Sequence, residues 1–61
     1  MTLDVTLDVA DGAGMSWLHR HAEVLGRDTG EDGRMHMTVR VAPDRAGIVR
    51  AKFGAENIRV Q

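Results

Sequence analysis

The segment from Thr2 to Val9 reads TLDVTLDV and alternates polar and apolar residues without interruption. Successive side chains of a β-strand point to opposite faces of the sheet, so one face of this segment is entirely apolar. Strict alternation over this length predicts a half-buried strand. The residues that we expect to face the core are Leu3, Val5, Leu7 and Val9.

The residues after this strand change to helical spacing. Asp11 is placed to cap a helix N-terminus, because its short carboxylate can accept from the free N–H groups of the first turn. Met15, Leu18 and Ala22 then recur three and four residues apart, which is typical of one apolar helix face. We therefore predict a short helix over residues 11–21.

Two further strands are predicted to form a hairpin. The first runs over residues 23–27, and the turn over residues 29–33 contains two glycines that tolerate a positive φ. Residues 34–41 then alternate as the first strand does. The side chains expected on the apolar face of this strand are Met35, Met37, Val39 and Val41.

A second helix is predicted to begin at Pro43 and to end at Gly54. Pro is favoured in the first helical turn, and Gly is favoured just after the last one. The apolar stripe expected on this helix comprises Ala42, Ala46, Val49 and Phe53. Residues 57–60 fit either a short edge strand or a frayed end.

This order of elements predicts an α+β domain with the ferredoxin-like split βαββα(β) arrangement, in which two helices cover one face of an antiparallel sheet. We interpret residues 1–61 as a single domain. The first and third strands should then be central neighbours, so that opposite charges meet across their polar faces. We expect this open face to neutralise itself rather than to form a binding patch. The residues involved are Asp4, Thr6, Asp8, Arg34, His36, Thr38 and Arg40.

The composition restricts the classes of protein. The chain has 61 residues, 43% of them hydrophobic and 28% charged, and it has no cysteine, which excludes a disulfide framework. Its formal net charge of -1 gives no overall attraction to nucleic acid, so any contact with RNA must be local. No apolar run approaches the roughly 20 residues of a membrane helix. We expect no membrane partner and a cytoplasmic location.

The residue types that usually bind metals or catalyse reactions do not have the spacing that those functions require. His19 and His21 lie about 200° apart around a helix axis, whereas metal ligation from one helix needs a spacing of three or four residues. His36 lies on a strand, where its neighbours point to the other face. The chain also has a single serine and no phosphate-binding loop motif. We therefore expect no metal, no cofactor and no enzymatic activity of its own.

The run from Asp11 to Arg27 reads DGAGMSWLHRHAEVLGR and follows an alternating strand. It resembles the C-terminal domain of HflX-type ribosome-associated GTPases, which has a glycine-containing turn, a Trp-Leu-x-x-His-like stretch and a Glu-Val-Leu strand. A Gly-Glu-Asp-Gly-like turn, a second alternating strand, a Pro-Asp pair and a helix ending near Phe53 continue the likeness. It extends over roughly residues 3–54.

The resemblance implies a parent with an N-terminal domain that contacts nucleotide and RNA, a central GTPase domain that uses GTP and Mg²⁺, and this small C-terminal domain, here without the other two. The parent would associate with the large ribosomal subunit. This domain would assist docking on the ribosome or pack against the adjacent GTPase domain. The candidate contact residues are Trp17, His21, Arg45 and Arg50.

The alternative interpretation is a free-standing ferredoxin-like regulatory domain. Such a domain would bind a small ligand or associate with itself through its sheet.

Overall fold

The computed structural model describes residues 1–60 of the chain. Its strands are β1 (Thr2–Asp8), β2 (Glu23–Thr29), β3 (Arg34–Arg40) and β4 (Ile58–Val60), and its helices are α1 (Gly12–His21) and α2 (Pro43–Phe53), with a 3₁₀ turn at Ala55–Asn57. The sheet order is β2-β3-β1-β4, and every neighbouring pair is antiparallel. The predicted ferredoxin-like split βαββαβ fold is confirmed.

The core lies between the apolar face of the sheet and the two helices. Its buried side chains come from β1, β3, the residue after β3, and one face of each helix, which is the arrangement that the two periodicities predict. The partly buried rings of Trp17 and Phe53 pack against this cluster. The buried members are Leu3, Val5, Leu7, Leu18, Met37, Val39, Val41, Ala46 and Val49.

The first strand is shorter than its sequence pattern. β1 ends at Asp8, and Val9 is 47% exposed, so the prediction that Val9 faces the core is wrong. The chain turns here because the Asp8 backbone carbonyl accepts from the Asp11 N–H at 2.9 Å. The Asp8 side chain also accepts from the Ala10 N–H at 2.8 Å. These local bonds compete with the ladder and stop the strand one residue early.

Strand β2 is longer than expected and irregular. It extends to Thr29, and its register with β3 shifts between Val24 and Gly26, which leaves Leu25 as the extra residue of a β-bulge. Val24 packs against the core, whereas Leu25 is 46% exposed. A bulge on an edge strand makes the edge less regular for pairing with another chain.

The predicted helix termini are confirmed at three positions. The Asp11 carboxylate accepts from the Gly14 N–H at 2.9 Å, and Pro43 begins α2. Gly54 follows α2 with a φ of 88°, a conformation that glycine adopts without a steric penalty. Ala42 is the exception to the predicted stripe: it precedes the helix in an extended conformation and is exposed.

The C-terminal segment forms an edge strand. β4 pairs with β1, with Ile58 opposite Val5 and Arg59 opposite Asp4. Asn57 belongs to the preceding 3₁₀ turn, where its side-chain amide donates to the Phe53 carbonyl at 2.8 Å. The last residue of the predicted tail, Gln61, lies outside the described residues.

Candidate functional site

Two of the four predicted contact residues, Trp17 and His21, lie together on α1. Their ring centroids are 4.4 Å apart with an interplanar angle of 33°. On another side the indole meets the ring of Phe53 edge-on, with centroids 5.8 Å apart. Trp17 therefore links α1 to the end of α2, while His21 remains exposed beside it.

The other two predicted contact residues, Arg45 and Arg50, are both exposed on α2. Five residues correspond to about 140° around a helix axis, so the two side chains leave the helix in different directions. They flank the buried stripe formed by Ala46 and Val49 on opposite sides. Neither arginine forms an ion pair within residues 1–60. They belong to one layer of the molecule but not to one compact patch.

Charge is divided unevenly between the two layers. The helices carry four basic residues and one acidic residue, Asp44, whereas the strands and connections carry four arginines and eight carboxylates. A net charge near zero therefore conceals a cationic helical layer, which keeps a charge of +2 when the capping Asp11 is counted with α1, and an anionic remainder of the chain. The basic residues of the helical layer are Arg20, Arg45, Arg50 and Lys52.

β1 and β3 are antiparallel neighbours, as predicted, and their polar side chains meet on the open face of the sheet. Hydroxyl groups make the closest contacts there: Thr38 donates to the Asp4 carboxylate at 3.0 Å, and the Thr6 hydroxyl lies 3.2 Å from His36 Nδ1. Asp8 stands opposite Arg34 in the ladder, but the two form no ion pair. The expected meeting of opposite charges across this ladder is therefore realised only at Asp8 and Arg34, because Asp4 and Arg40 stand opposite threonines.

One exposed ion pair and one exposed histidine–carboxylate contact lie beside this ladder. Arg40 contacts Glu23 of β2 at 3.2 Å, and His36 Nε2 lies 3.4 Å from the carboxylate of Asp32. Each of these four side chains is more than 40% exposed, so solvent weakens both contacts.

The hairpin turn holds Asp32 in place. Its carboxylate accepts from the Arg34 backbone N–H at 2.9 Å, and this bond, aided by His36, lowers the pKa of Asp32 below its ordinary value of 3.8. Gly30 leaves room for the arrangement, because a Cβ there would lie 2.6 Å from His36 Nε2 and 2.8 Å from the Asp32 carboxylate. The conformation of the turn and the absence of a side chain at Gly30 therefore allow the His36–Asp32 contact.

Thr6, His36 and Asp32 follow the order hydroxyl, imidazole, carboxylate. That order occurs in nucleophile relays, where the groups are normally oriented by a shielded site. Here the side chains of His36 and Asp32 are 41% and 52% exposed, so water competes for both. We interpret the chain of contacts as a link between β1, β3 and the hairpin turn.

A groove of about 510 Å³ opens on this face of the sheet. Its floor contains Asp4 and Thr6, which lie on the central strand β1. One wall consists of the hairpin residues Asp32, Arg34 and His36. The opposite wall consists of residues from the 3₁₀ turn and β4, namely Glu56, Asn57 and Arg59.

The sequence pattern predicted that the polar faces of β1 and β3 lie side by side, but it did not indicate the groove or the Thr6–His36 contact. Alternation determines on which face a side chain lies, whereas the contact also needs the register of the two strands. The second wall depends on β4 pairing with the far side of β1, which the sequence left undecided. Asp32 and Glu56 also lie on connections, where no periodicity indicates the direction of a side chain.

Within residues 1–60, no three His, Asp or Glu side chains come together in a way that could hold a metal ion. None of the helices there has the length and apolar character needed to cross a membrane. Comparisons with protein-family models, with curated proteins and with solved structures found no match to this chain.

Proposed function

We propose that this chain is a non-catalytic accessory domain that docks through its helical layer on an anionic macromolecule. For a parent of the HflX type, the partner would be the large ribosomal subunit. The observation that carries the proposal is the unequal charge of the two layers, with four basic side chains and one acidic side chain on the helices.

The arrangement of these charges favours contact through the helices. Exposed charges separated by more than about 8 Å are largely screened at physiological ionic strength. A partner on the outer side of the helices therefore meets their basic residues at short range, while the carboxylates of the open sheet face lie beyond the core. Guanidinium groups suit phosphate oxygens because they can donate two parallel hydrogen bonds.

The aromatic pair adds a second kind of contact to the same layer. The ring of His21 is exposed and lies against Trp17, which is itself fixed by Phe53. An exposed ring supported in this way can stack on an unpaired RNA base, and such stacking is common in RNA recognition. Trp17 thus serves the core and holds His21 in position.

The remaining features of the proposal follow from the resemblance to HflX-type proteins. GTP and Mg²⁺ would belong to the adjacent GTPase domain of the parent, and the location would be cytoplasmic. Packing against that GTPase domain is the second contact that the resemblance implies. The candidate residues for either contact are Trp17, His21, Arg45 and Arg50.

Co-sedimentation with purified large ribosomal subunits tests the docking role. We expect the chain to pellet with large subunits, and to be released as salt is raised, because phosphate contacts displace bound counterions. The double variant R45E/R50E should bind at least about tenfold more weakly, equivalent to about 1.4 kcal/mol. The matched control is R34E/R59E, which reverses two arginines on the open face and should bind as the unmodified chain does.

Two outcomes would contradict the proposal. One is the absence of binding to large subunits at low salt, and the other is an equal loss of binding in both double variants. Small ribosomal subunits and a polyanion such as heparin serve as specificity controls, because charge alone would bind all of them alike.

The alternative of a self-associating domain has one observation in its favour. β2 is an outer strand of seven residues with one unpaired edge in the sheet and with Leu25 exposed on it. Sedimentation velocity over a range of concentrations distinguishes this alternative. A concentration-dependent dimer that L25E abolishes, together with no binding to ribosomal subunits, would favour self-association.

A further inference from the structure

Some side chains that line the groove on the open face already have hydrogen-bond partners within the chain, and others do not. Both ring nitrogens of His36 have partners, Thr6 on one side and Asp32 on the other. The Asp32 carboxylate also accepts from the Arg34 backbone. Asp4 accepts from the Thr38 hydroxyl and stands opposite Arg59 across the β1–β4 ladder. These groups form the structure of the groove rather than its free binding capacity.

Three other charged groups of the lining have no ion pair within residues 1–60: Arg34 on one wall, and Glu56 and Arg59 on the other. The guanidinium of Arg34 forms no ion pair or side-chain hydrogen bond within residues 1–60. On the opposite wall, the Glu56 carboxylate lies against Gly54, where an added Cβ would be 2.7 Å from Oε1. The contact with Gly54 positions the Glu56 carboxylate, but it does not neutralise its charge.

We propose that this groove binds a zwitterionic small molecule of the amino-acid class, with the ligand carboxylate at Arg34 and the ligand ammonium at Glu56. The Asn57 amide nitrogen already donates to the Phe53 carbonyl, which leaves the amide oxygen on the second wall for a further polar contact. The groove volume falls within the range of about 300–1,000 Å³ that is usual for small-molecule sites.

Other classes of ligand fit the lining less well. All eight lining residues are polar or charged, which disfavours an apolar ligand. The lining carries three carboxylates and two guanidiniums, so a simple anion would meet net repulsion. A simple cation would leave Arg34 without a partner. A zwitterion can meet the Arg34 guanidinium and the Glu56 carboxylate at once and adds no net charge to the groove.

NMR titration of the ¹⁵N-labelled chain tests this assignment. The standard L-amino acids are added one at a time, and propionate and ethylamine serve as probes that carry only one of the two charges. We expect at least one amino acid to shift the amide resonances of Thr6, Arg34 and Asn57 in a saturable manner. Propionate and ethylamine should each bind at least about tenfold more weakly, because each satisfies one charge only.

The variants R34A and E56Q should each weaken the binding of that amino acid at least about tenfold, while the dispersion of the spectrum shows that the fold is retained. R45E/R50E, which tests docking through the helices, should leave this binding unchanged, so the two proposals can fail separately. The assignment is overturned if no amino acid gives saturable shifts at millimolar concentration. Equal binding by propionate, or unchanged binding by R34A and E56Q, would also overturn it.

Discussion

The two faces of β3 differ in what surrounds them, although their residues alternate along one strand. Met37 and Val39 point toward the helices and are fully buried, whereas their neighbours His36 and Thr38 point to the open face and remain partly exposed. Apolar burial is non-directional and scales with the area removed from water. Hydrogen bonds on the open face replace hydrogen bonds to water, so their net contribution to the free energy of unfolding is smaller than that of the buried apolar face.

This difference indicates which face of the sheet tolerates amino-acid substitutions without loss of the fold. The core face must keep its shape, because close packing leaves no room for a change of volume. The open face needs polarity more than any one side chain, and its groups are therefore available for a ligand. The helical layer combines both properties, since each helix buries one side in the core and exposes charge on the other.

Substitutions at neighbouring positions of β3 test most directly whether its core face contributes more to stability than its open face. Met37→Ala should lower the free energy of unfolding by about 2–5 kcal/mol, because a fully buried side chain leaves a cavity. Thr38→Ala should lower it by only about 0.5–1.5 kcal/mol, since the half-exposed Asp4 carboxylate regains water. Urea denaturation followed by circular dichroism measures both, and similar losses would show that the two faces contribute equally.

A smaller effect is expected from the contact that joins the helices. Trp17 and Phe53 meet edge-on, and such pairs contribute about 0.5–1.5 kcal/mol beyond the burial of their area. A double-mutant cycle with W17L, F53L and W17L/F53L isolates this coupling in urea denaturation. If the two single losses add to within about 0.3 kcal/mol, the rings act independently and Trp17 is not a link between the helices.

The smallest effect belongs to the hairpin turn on the open face. The native pKa of Asp32 lies below the unfolded value, so its carboxylate stabilises the fold above about pH 4. That contribution is lost as pH falls through the lowered native pKa. We therefore expect D32N to have a lower Tm than the unmodified chain at pH 7, with the difference vanishing in acid.

Thermal unfolding at several pH values measures this dependence. D28N, which changes an exposed carboxylate on β2 without a hydrogen bond in the described residues, is the matched control and should change the Tm at pH 7 less than D32N does. A Tm difference between D32N and the unmodified chain that persists below pH 3 would contradict the assignment to Asp32.

Several parts of the fold were predictable because they depend on neighbouring residues only. The alternation from Leu3 to Leu7 is enough to form a two-faced strand, and Asp11 caps α1 with its own carboxylate. Gly54 ends α2 because its positive φ is costly for other residues. The prediction failed at Val9 and Ala42 for a related reason: turn and capping geometry at the ends of elements overrides periodicity there.

The sequence by itself determined the types of the elements and which face of each strand enters the core, since both follow from a spacing of two or three to four residues. Tertiary structure alone decided which distant residues meet. The pairing of β4 with β1 brings Glu56 and Arg59 opposite the hairpin that carries Arg34, and the position of α2 brings Phe53 to Trp17. Those contacts depend on the closure of the whole sheet and core, which no local pattern encodes.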